Sequence, residues 1–428
     1  NLKNSVFQLT KHAFIGKMNS VTIKSCIMPF KGEIHMKVFV KIAAFVLAVS
    51  TVFAFSACTE SEQNKNDQYG WALEIETEEV KATEEGGKDT KVLTIKGLYL
   101  GQGTQNDVDA GVAVLKDKSL KNLENLVIGK DGLDYMFNVY DETKGDFQFD
   151  KDGKSAQRDS FDNYDEIKIA KDAFSGQKII KTVELTSKVT EIGLAAFAGC
   201  SNLTKMVLPF VGTSAKAYNV NKTFASLFGT AEITGCTSNS ITYNEGGTGK
   251  YYIPSGLTDV VVNYAEGAAL PEYAFAGVTV IKNVTLNNVT EIGSNAFAGC
   301  TALTKVEFGA AAKLETIYSS AFSGCTALYN FNLAALTGLK TVYQSAFNGC
   351  SKLGVGYETI VLPAATYMDK AFKDCTSLKS VDFANVVAIG DACFYGCTAL
   401  ETVSNLDNNK LASSYEMVFA GCTKLLDK

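Results

Sequence analysis

The chain has 428 residues, 46% of them hydrophobic, and a formal net charge of −6. That balance excludes an intrinsically disordered, collagen-like or multi-span membrane protein. Two histidines, one tryptophan and one arginine leave few of the groups that ligate zinc or read guanine.

Residues 1–35 carry no periodic pattern and read as an upstream segment without a fold of its own. Met36 to Lys41 form a short basic start, and Ile42 to Phe55 form an apolar run. That run is shorter than the ~20 residues a membrane-spanning helix needs. Small residues follow, and Phe55-Ser56-Ala57-Cys58 resembles the lipobox of bacterial lipoproteins, with phenylalanine where that family carries leucine. The resemblance implies a signal peptide over 36–57 and a diacylated Cys58 as the new N-terminus. The residue after it is Thr59 rather than an aspartate. By the same resemblance, the address is the bacterial outer membrane or cell surface, lipid-anchored and facing outside.

Without its first 57 residues the chain holds 33 basic and 45 acidic groups, a net −12, and no histidine. An acidic chain with Arg158 as its single arginine is a poor match for phosphate backbones, so nucleic acid is not expected as a partner. The missing histidine excludes Ser-His-Asp and Cys-His catalysis and histidine-ligated zinc.

Residues 58–89 are polar and acidic, with Glu74, Glu76, Glu78, Glu79, Glu84 and Glu85, and read as a flexible tether. Residues 90–165 follow as a front region. It contains Leu93 to Gly97, a helix-like stretch from Asp107 to Leu115, and Leu123 to Ile128, then an irregular aspartate-rich insertion from Asp131 to Asp165.

From 166 to 428 one motif dominates: Ala-Phe-x-Gly-Cys-(Ser/Thr)-x-Leu. Its phenylalanines are Phe174, Phe197, Phe275, Phe297, Phe322, Phe347, Phe372, Phe394 and Phe419. From Phe275 onward they are 22 or 25 residues apart. A cysteine follows three residues later at 200, 300, 325, 350, 375, 397 and 422, and a leucine three beyond that. Self-similarity at this period marks a solenoid in the leucine-rich-repeat range. Runs such as Leu303-Thr304-Lys305-Val306-Glu307-Phe308 alternate as half-buried strands do, and Val289 to Ile292 supplies a second short strand. A helical turn then carries the Ala-Phe pair. One coil cannot bury enough apolar surface to offset the ordering of its backbone, so coils must stack. The array is interrupted over 210–270, where Gly229 to Lys250 reads as a projecting loop.

These residues resemble the BspA-like, or Treponema pallidum type, leucine-rich-repeat family, over the chain from about residue 90 to its end. Val189 to Gly193 and Val289 to Gly293 match its second strand, and Leu227-Phe228-Gly229 and Tyr251 to Ser255 match a recurrent insertion. The resemblance implies an α/β repeat fold: a solenoid of short parallel strands and short helical turns, behind a strand–helix–strand N-terminal cap. It also implies a cell-surface protein engaged in non-covalent binding or adhesion; no cofactor is expected, and an enzyme is a distant third reading.

Carboxylates such as Glu307 and Asp382 occupy solvent-facing repeat positions, where charge ordinarily marks a solvated face. The repeat cysteines read as a ladder of small buried thiols, neither disulfides nor a metal site. Cys236, off register, reads as the reactive thiol after Cys58. Asp150 to Gly153 lacks the first carboxylate and the closing glutamate of a calcium loop and reads as a turn. The candidate binding face is the outward stripe Lys205, Asn283, Thr285, Lys305, Glu307, Asn330, Asn332, Ser380 and Asp382, flanked by Thr182, Glu184, Thr402 and Ser404. Tyr318, Tyr343 and Tyr415, where preceding repeats have glycine, are a candidate aromatic shelf. The expected partner is an extracellular protein, or alternatively a glycan or nutrient, bound by a monomer.

Overall fold

The structure, a computed structural model, describes residues 71–425 apart from 84–86, 102–104, 107–108, 110–120, 142–145, 148–156, 218, 245–246, 310–312 and 357–358. The upstream segment, the signal peptide, Cys58, most of the helix-like stretch at Asp107 and the Asp150 turn lie outside the described residues.

The chain enters through β1 (Trp71–Val80), antiparallel to β2 (Thr90–Leu100). Composition marks this stretch as tether, and here the structure differs. Trp71, Leu73 and Ile75 are buried on one face while Glu74 and Glu76 alternate with them, the period-2 pattern of a half-buried strand. A one-turn helix, α1 (Lys121–Glu124), leads into β3 (Asn125–Ile128). The described residues of the aspartate-rich insertion are likewise largely regular. They form β4 (Asp134–Asp141), β5 (Asp146–Phe147) and β6 (Gln157–Ser160), and β4 pairs in parallel with β1. Trp71, Tyr135, Phe137 and Phe161 close this front sheet from inside, with ring centroids 5.2–5.8 Å apart. Among the described residues the cap is mainly sheet, in the order β5-β4-β1-β2, continuing into the coils through β7 (Glu166–Ile169).

The coils run through β8 (Thr182–Leu185), β9 (Val189–Ile192) and β10 (Lys205–Leu208). After an interruption holding β11 (Cys236–Asn244) and β12 (Gly247–Pro254), the long strands β13 (Asp259–Leu270) and β14 (Asn283–Ile292) bend across two faces. Beyond them the faces separate. One carries β15 (Lys305–Phe308) and β17 (Asn330–Phe331). The other carries β16 (Thr316–Ile317), β18 (Thr341–Val342), β20 (Thr366–Tyr367) and β22 (Ala388–Ile389). The first face resumes in β19 (Ile360–Val361), β21 (Ser380–Asp382) and β23 (Thr402–Ser404). Every ladder between coils is parallel, as a solenoid requires. The helical component is small among the described residues: the Ala-Phe segment is a pair of tight turns, as in Ser323 N to Ser320 O at 3.0 Å and Cys325 N to Phe322 O at 3.1 Å.

Three rows of side chains fill the interior: phenylalanines, cysteines and the buried motif leucines such as Leu303, Leu328 and Leu353. The motif phenylalanines are buried and stack face to face. Centroids of Phe275, Phe297, Phe322, Phe347, Phe372, Phe394 and Phe419 follow one another at 5.0–5.6 Å. Each motif cysteine donates its thiol to the phenylalanine carbonyl of the coil before it, as Cys325 does to Phe297 O at 3.0 Å and Cys350 to Phe322 O at 3.1 Å. The thiol is thus a second donor to a carbonyl that already accepts its own turn's amide, as Phe322 O does from Cys325 N, so a cysteine finds a partner where an alanine would have none. All nine cysteines among the described residues are unbridged. The residue just before each motif cysteine takes a left-handed φ that favours glycine, +71° to +74° in Gly299, Gly324 and Gly349, with Asp374 at +58° the exception in residue type.

The interruption is itself a rung. Phe197 N donates to Leu227 O at 2.9 Å and Phe224 N to Ala274 O at 2.7 Å. Phe224 packs on Phe228 and Phe275 at 5.3 and 5.1 Å, so the aromatic column that starts at Phe275 extends back into the gap in the repeat. The stretch read as a projecting loop is the antiparallel hairpin β11–β12, folded back on the turns. Buried Asn239 latches it: its carbonyl oxygen accepts from Thr279 N at 2.7 Å and Thr279 Oγ1 at 2.9 Å. Asn239→Ala leaves that backbone amide unsatisfied, which costs ~1–3 kcal/mol. Because the loss is local, the expected result is faster proteolysis between 231 and 255, read by limited digestion, with little change in far-UV circular dichroism.

Candidate functional site

The first face presents the outward positions of successive strands in strict register. Residues Asn125, Thr182, Lys205, Asp259, Asn283, Lys305 and Asn330 occupy consecutive rungs. Parallel pairing sets them roughly 4.8 Å apart. They flank inward residues such as Met206, Val260, Val284 and Val306, which are buried. Alternation along each strand is what turns this polar row outward.

Neighbouring rungs hold one another. Thr182 Oγ1 donates to Asn125 Oδ1 at 3.0 Å, and Asn283 Nδ2 donates to Asp259 Oδ1 at 2.9 Å. Within its own strand, Lys305 Nζ lies 2.5 Å from Glu307 Oε1. The row is thus pre-ordered, mixed in sign and close to neutral. Such a surface offers donors and acceptors to a broad polar ligand without a strong field of either sign.

The structure brings together Lys205, Asn283, Thr285, Lys305, Glu307 and Asn330, with Thr182 and Glu184. It adds Asn125 and Asp259, which were not picked out as site residues. Leu257-Thr258-Asp259-Val260 repeats the template of Leu303-Thr304-Lys305-Val306, so Asp259 had a signal. The second outward row is less polar than the stripe suggested, because Val127, Val207 and Val261 share it with Glu184, Thr285 and Glu307.

Ser380, Asp382, Thr402 and Ser404 do not continue this ladder. They stand on β21 and β23 in a separate three-stranded sheet. There Thr359 Oγ1 donates to Ser380 Oγ at 3.2 Å and Asn405 Nδ2 to Asp382 Oδ1 at 2.9 Å. Asn332 lies just past β17, capping a short 3-10 turn at Leu333–Ala335, and is exposed.

Tyr318 and Tyr343 do adjoin, on the other face, but stack on each other with centroids 5.2 Å apart and planes 14° from parallel. Each covers a ring face of the other, so they form a column rather than open shelves. A hydrogen bond to the Glu291 carboxylate raises the Tyr318 phenol above its ordinary pKa. The Tyr415 side chain lies outside what the structure describes. In the hairpin, Tyr252 is buried under Lys250, whose Nζ sits 5.2 Å from the ring centroid.

Cys236, at the start of β11, is half-buried, and desolvation raises its thiol above the usual value. That shift opposes the thiolate a reactive cysteine needs. Among the described residues no group of three or more His, Cys, Asp or Glu is placed to hold a metal. No helix there is long and apolar enough to cross a membrane.

The BspA type leucine-rich repeat region matches in six copies, over residues 156–244, 256–361 and 356–427. Among solved structures, a leucine-rich repeat protein of T. pallidum is 27% identical, covering 46% of this chain and 92% of that one, with a TM-score of 0.34. A leucine-rich cell surface protein of Faecalibacterium prausnitzii is 16% identical over 59% of this chain and 80% of that one, at a TM-score of 0.25. A leucine-rich repeat protein of Bacteroides ovatus is 20% identical over 77% and 88%, at 0.17. Among proteins of curated function, none matches. With its repeat matched over more than half its length and its coils stacked in parallel, this chain belongs to the BspA type leucine-rich repeat family.

Proposed function

We propose that this protein is a lipid-anchored binding module of a bacterial cell surface. It holds an extracellular protein ligand, by adhesion without chemistry, along the row from Asn125 to Asn330. The observation that carries this reading is the seven-rung register of outward polar residues, fixed by the parallel ladder and by bonds between rungs. A rigid row of many modest contacts spares the ordering cost that a flexible surface incurs on binding. The surface description of the F. prausnitzii relative is in keeping with an exposed location. Cys58 would supply the anchor, and no residue is given a catalytic role.

The test is a matrix-protein and glycan-array screen on the 59–428 fragment, followed by Asn283→Ala and Lys305→Glu. A protein ligand whose Kd weakens about tenfold in each variant, ~1.4 kcal/mol apiece, is the expected result. Binding that ignores both substitutions would place the ligand elsewhere. Metabolic palmitate labelling, lost in Cys58→Ser, checks the anchor.

A further inference from the structure

A groove of about 510 Å³ runs between β11 and the turns of the next two coils, and none of the strand-row residues lines it. Its size falls inside the ~300–1,000 Å³ of ordinary small-molecule sites. One wall is β11, which lends Ser238, Ser240 and Thr242 at alternate positions. The intervening Asn239 and Ile241 are buried at 1% and 0% exposure, and so anchor the strand with its hydroxyls turned outward. The other wall holds Tyr273, Thr279 and Asn295.

The floor is made of alanine and glycine, and at Gly277 only glycine fits. A Cβ on Gly277 would lie 2.0 Å from the Ser240 carbonyl oxygen, so any larger residue there lifts the hairpin and destroys the wall. Strand and turn are thus built to lie close while a channel stays open beside them.

The lining carries no charged side chain. Thr279 is engaged by Asn239, but the hydroxyls of Ser238, Ser240 and Thr242 and the amide of Asn295 have no side-chain partner among the described residues. Hydroxyls and amides both donate and accept, as a polyol does in return. The Tyr273 ring adds an apolar surface against which sugar C–H groups pack. Lys222 sits 5.8 Å from that ring's centroid and is itself paired with Glu272, so little net charge reaches the groove. A phosphate or carboxylate ligand would find no cation in the lining to meet it.

We propose that this groove binds a neutral oligosaccharide. It is a second site, separate from the strand row and independent of what that row holds.

Isothermal titration of the 59–428 fragment with cellotetraose, maltotetraose, xylotetraose and mannotetraose tests this, with an uncharged Gly-Ser tetrapeptide amide as comparison. The expected result is saturable heat with at least one tetrasaccharide and none with the peptide. Affinity should fall at least tenfold in the Ser238→Val/Ser240→Val double variant and in Tyr273→Ser. Both sites are at the surface, and valine suits a strand, so unchanged thermal unfolding separates lost binding from lost fold. Lys305→Glu, on the strand row, should leave the sugar heat untouched. No heat with any of the four sugars overturns the assignment. So does binding of the peptide alone, or sugar binding indifferent to the groove variants.

Discussion

Raising the pH from neutrality to about 10.5 should strongly destabilise this protein through its buried thiols. Burial pushes Cys200 and Cys393 up to about 12, and desolvation raises Cys325, Cys350 and Cys375 as well. The unfolded thiol titrates near 9.0. Below that value both states keep their protons and the thiols have no pH effect. Above it the unfolded chain sheds protons that the fold retains, so stability falls as pH rises toward the folded values. At about 1.5 units past the unfolded thiol, each cysteine costs ~2 kcal/mol. Cys200 and Cys393 together cost about 4 kcal/mol, and the other raised thiols act in the same direction, against the ~5–15 kcal/mol a whole domain commonly has. Buried Tyr264 and Tyr367, raised by desolvation, steepen the loss above pH 10. Thermal unfolding across pH 7–10.5 measures it. Cys350→Ala should lower the pH slope by about one proton while leaving the neutral-pH fold in place. A midpoint flat to about pH 10 would mean the thiols are not buried.

Phe322→Ala should be the most damaging single substitution in the repeat array. Its ring is fully buried, stacks on Phe297 and Phe347 at 5.0 and 5.2 Å, and meets Phe331 edge-on at 5.1 Å. The cavity costs ~3–5 kcal/mol, and each lost aromatic pair adds ~0.5–1.5. In a solenoid a coil touches only its neighbours, so a weak coil also uncouples the halves it joins. Trp71, the single tryptophan, is buried in the front sheet and reports on that half alone. Guanidinium unfolding followed by Trp71 fluorescence and by circular dichroism should coincide in the parent chain. In the variant the two should separate, the dichroism moving to lower denaturant. One coincident transition shifted by under ~1 kcal/mol would argue against a shared interior.

The core of this architecture was readable because the coil repeats one apolar register. Phe, Cys and Leu recur at fixed offsets, and each takes the same place in the stack. The front sheet was not, because composition hid its pattern. Trp71, Leu73 and Ile75 alternate with Glu74 and Glu76, and a tally of acidic residues conceals the alternation that a strand depends on. Tyr135 and Phe137 are similarly masked by their aspartates. The interruption defeated spacing because Phe224 and Phe228 fill a rung without the cysteine that marks the others. On the binding face, outward positions were legible wherever alternation was clean. Which of them adjoin depends on pairing, and pairing inserts Asp259 between Lys205 and Asn283 while parting Ser380 from Asn330. The tyrosine column shows the same limit: spacing aligned Tyr318 with Tyr343, but whether their faces meet each other or a ligand is decided in space.

The continuous interior is tested most directly by thiol mass labelling of the native protein at neutral pH. Cys236 should react first, while Cys300, Cys325, Cys350, Cys375, Cys393 and Cys397, all buried, stay unmodified until denaturant is added. Labelling of those six at the rate of Cys236 in the folded protein would contradict the stacked-coil account.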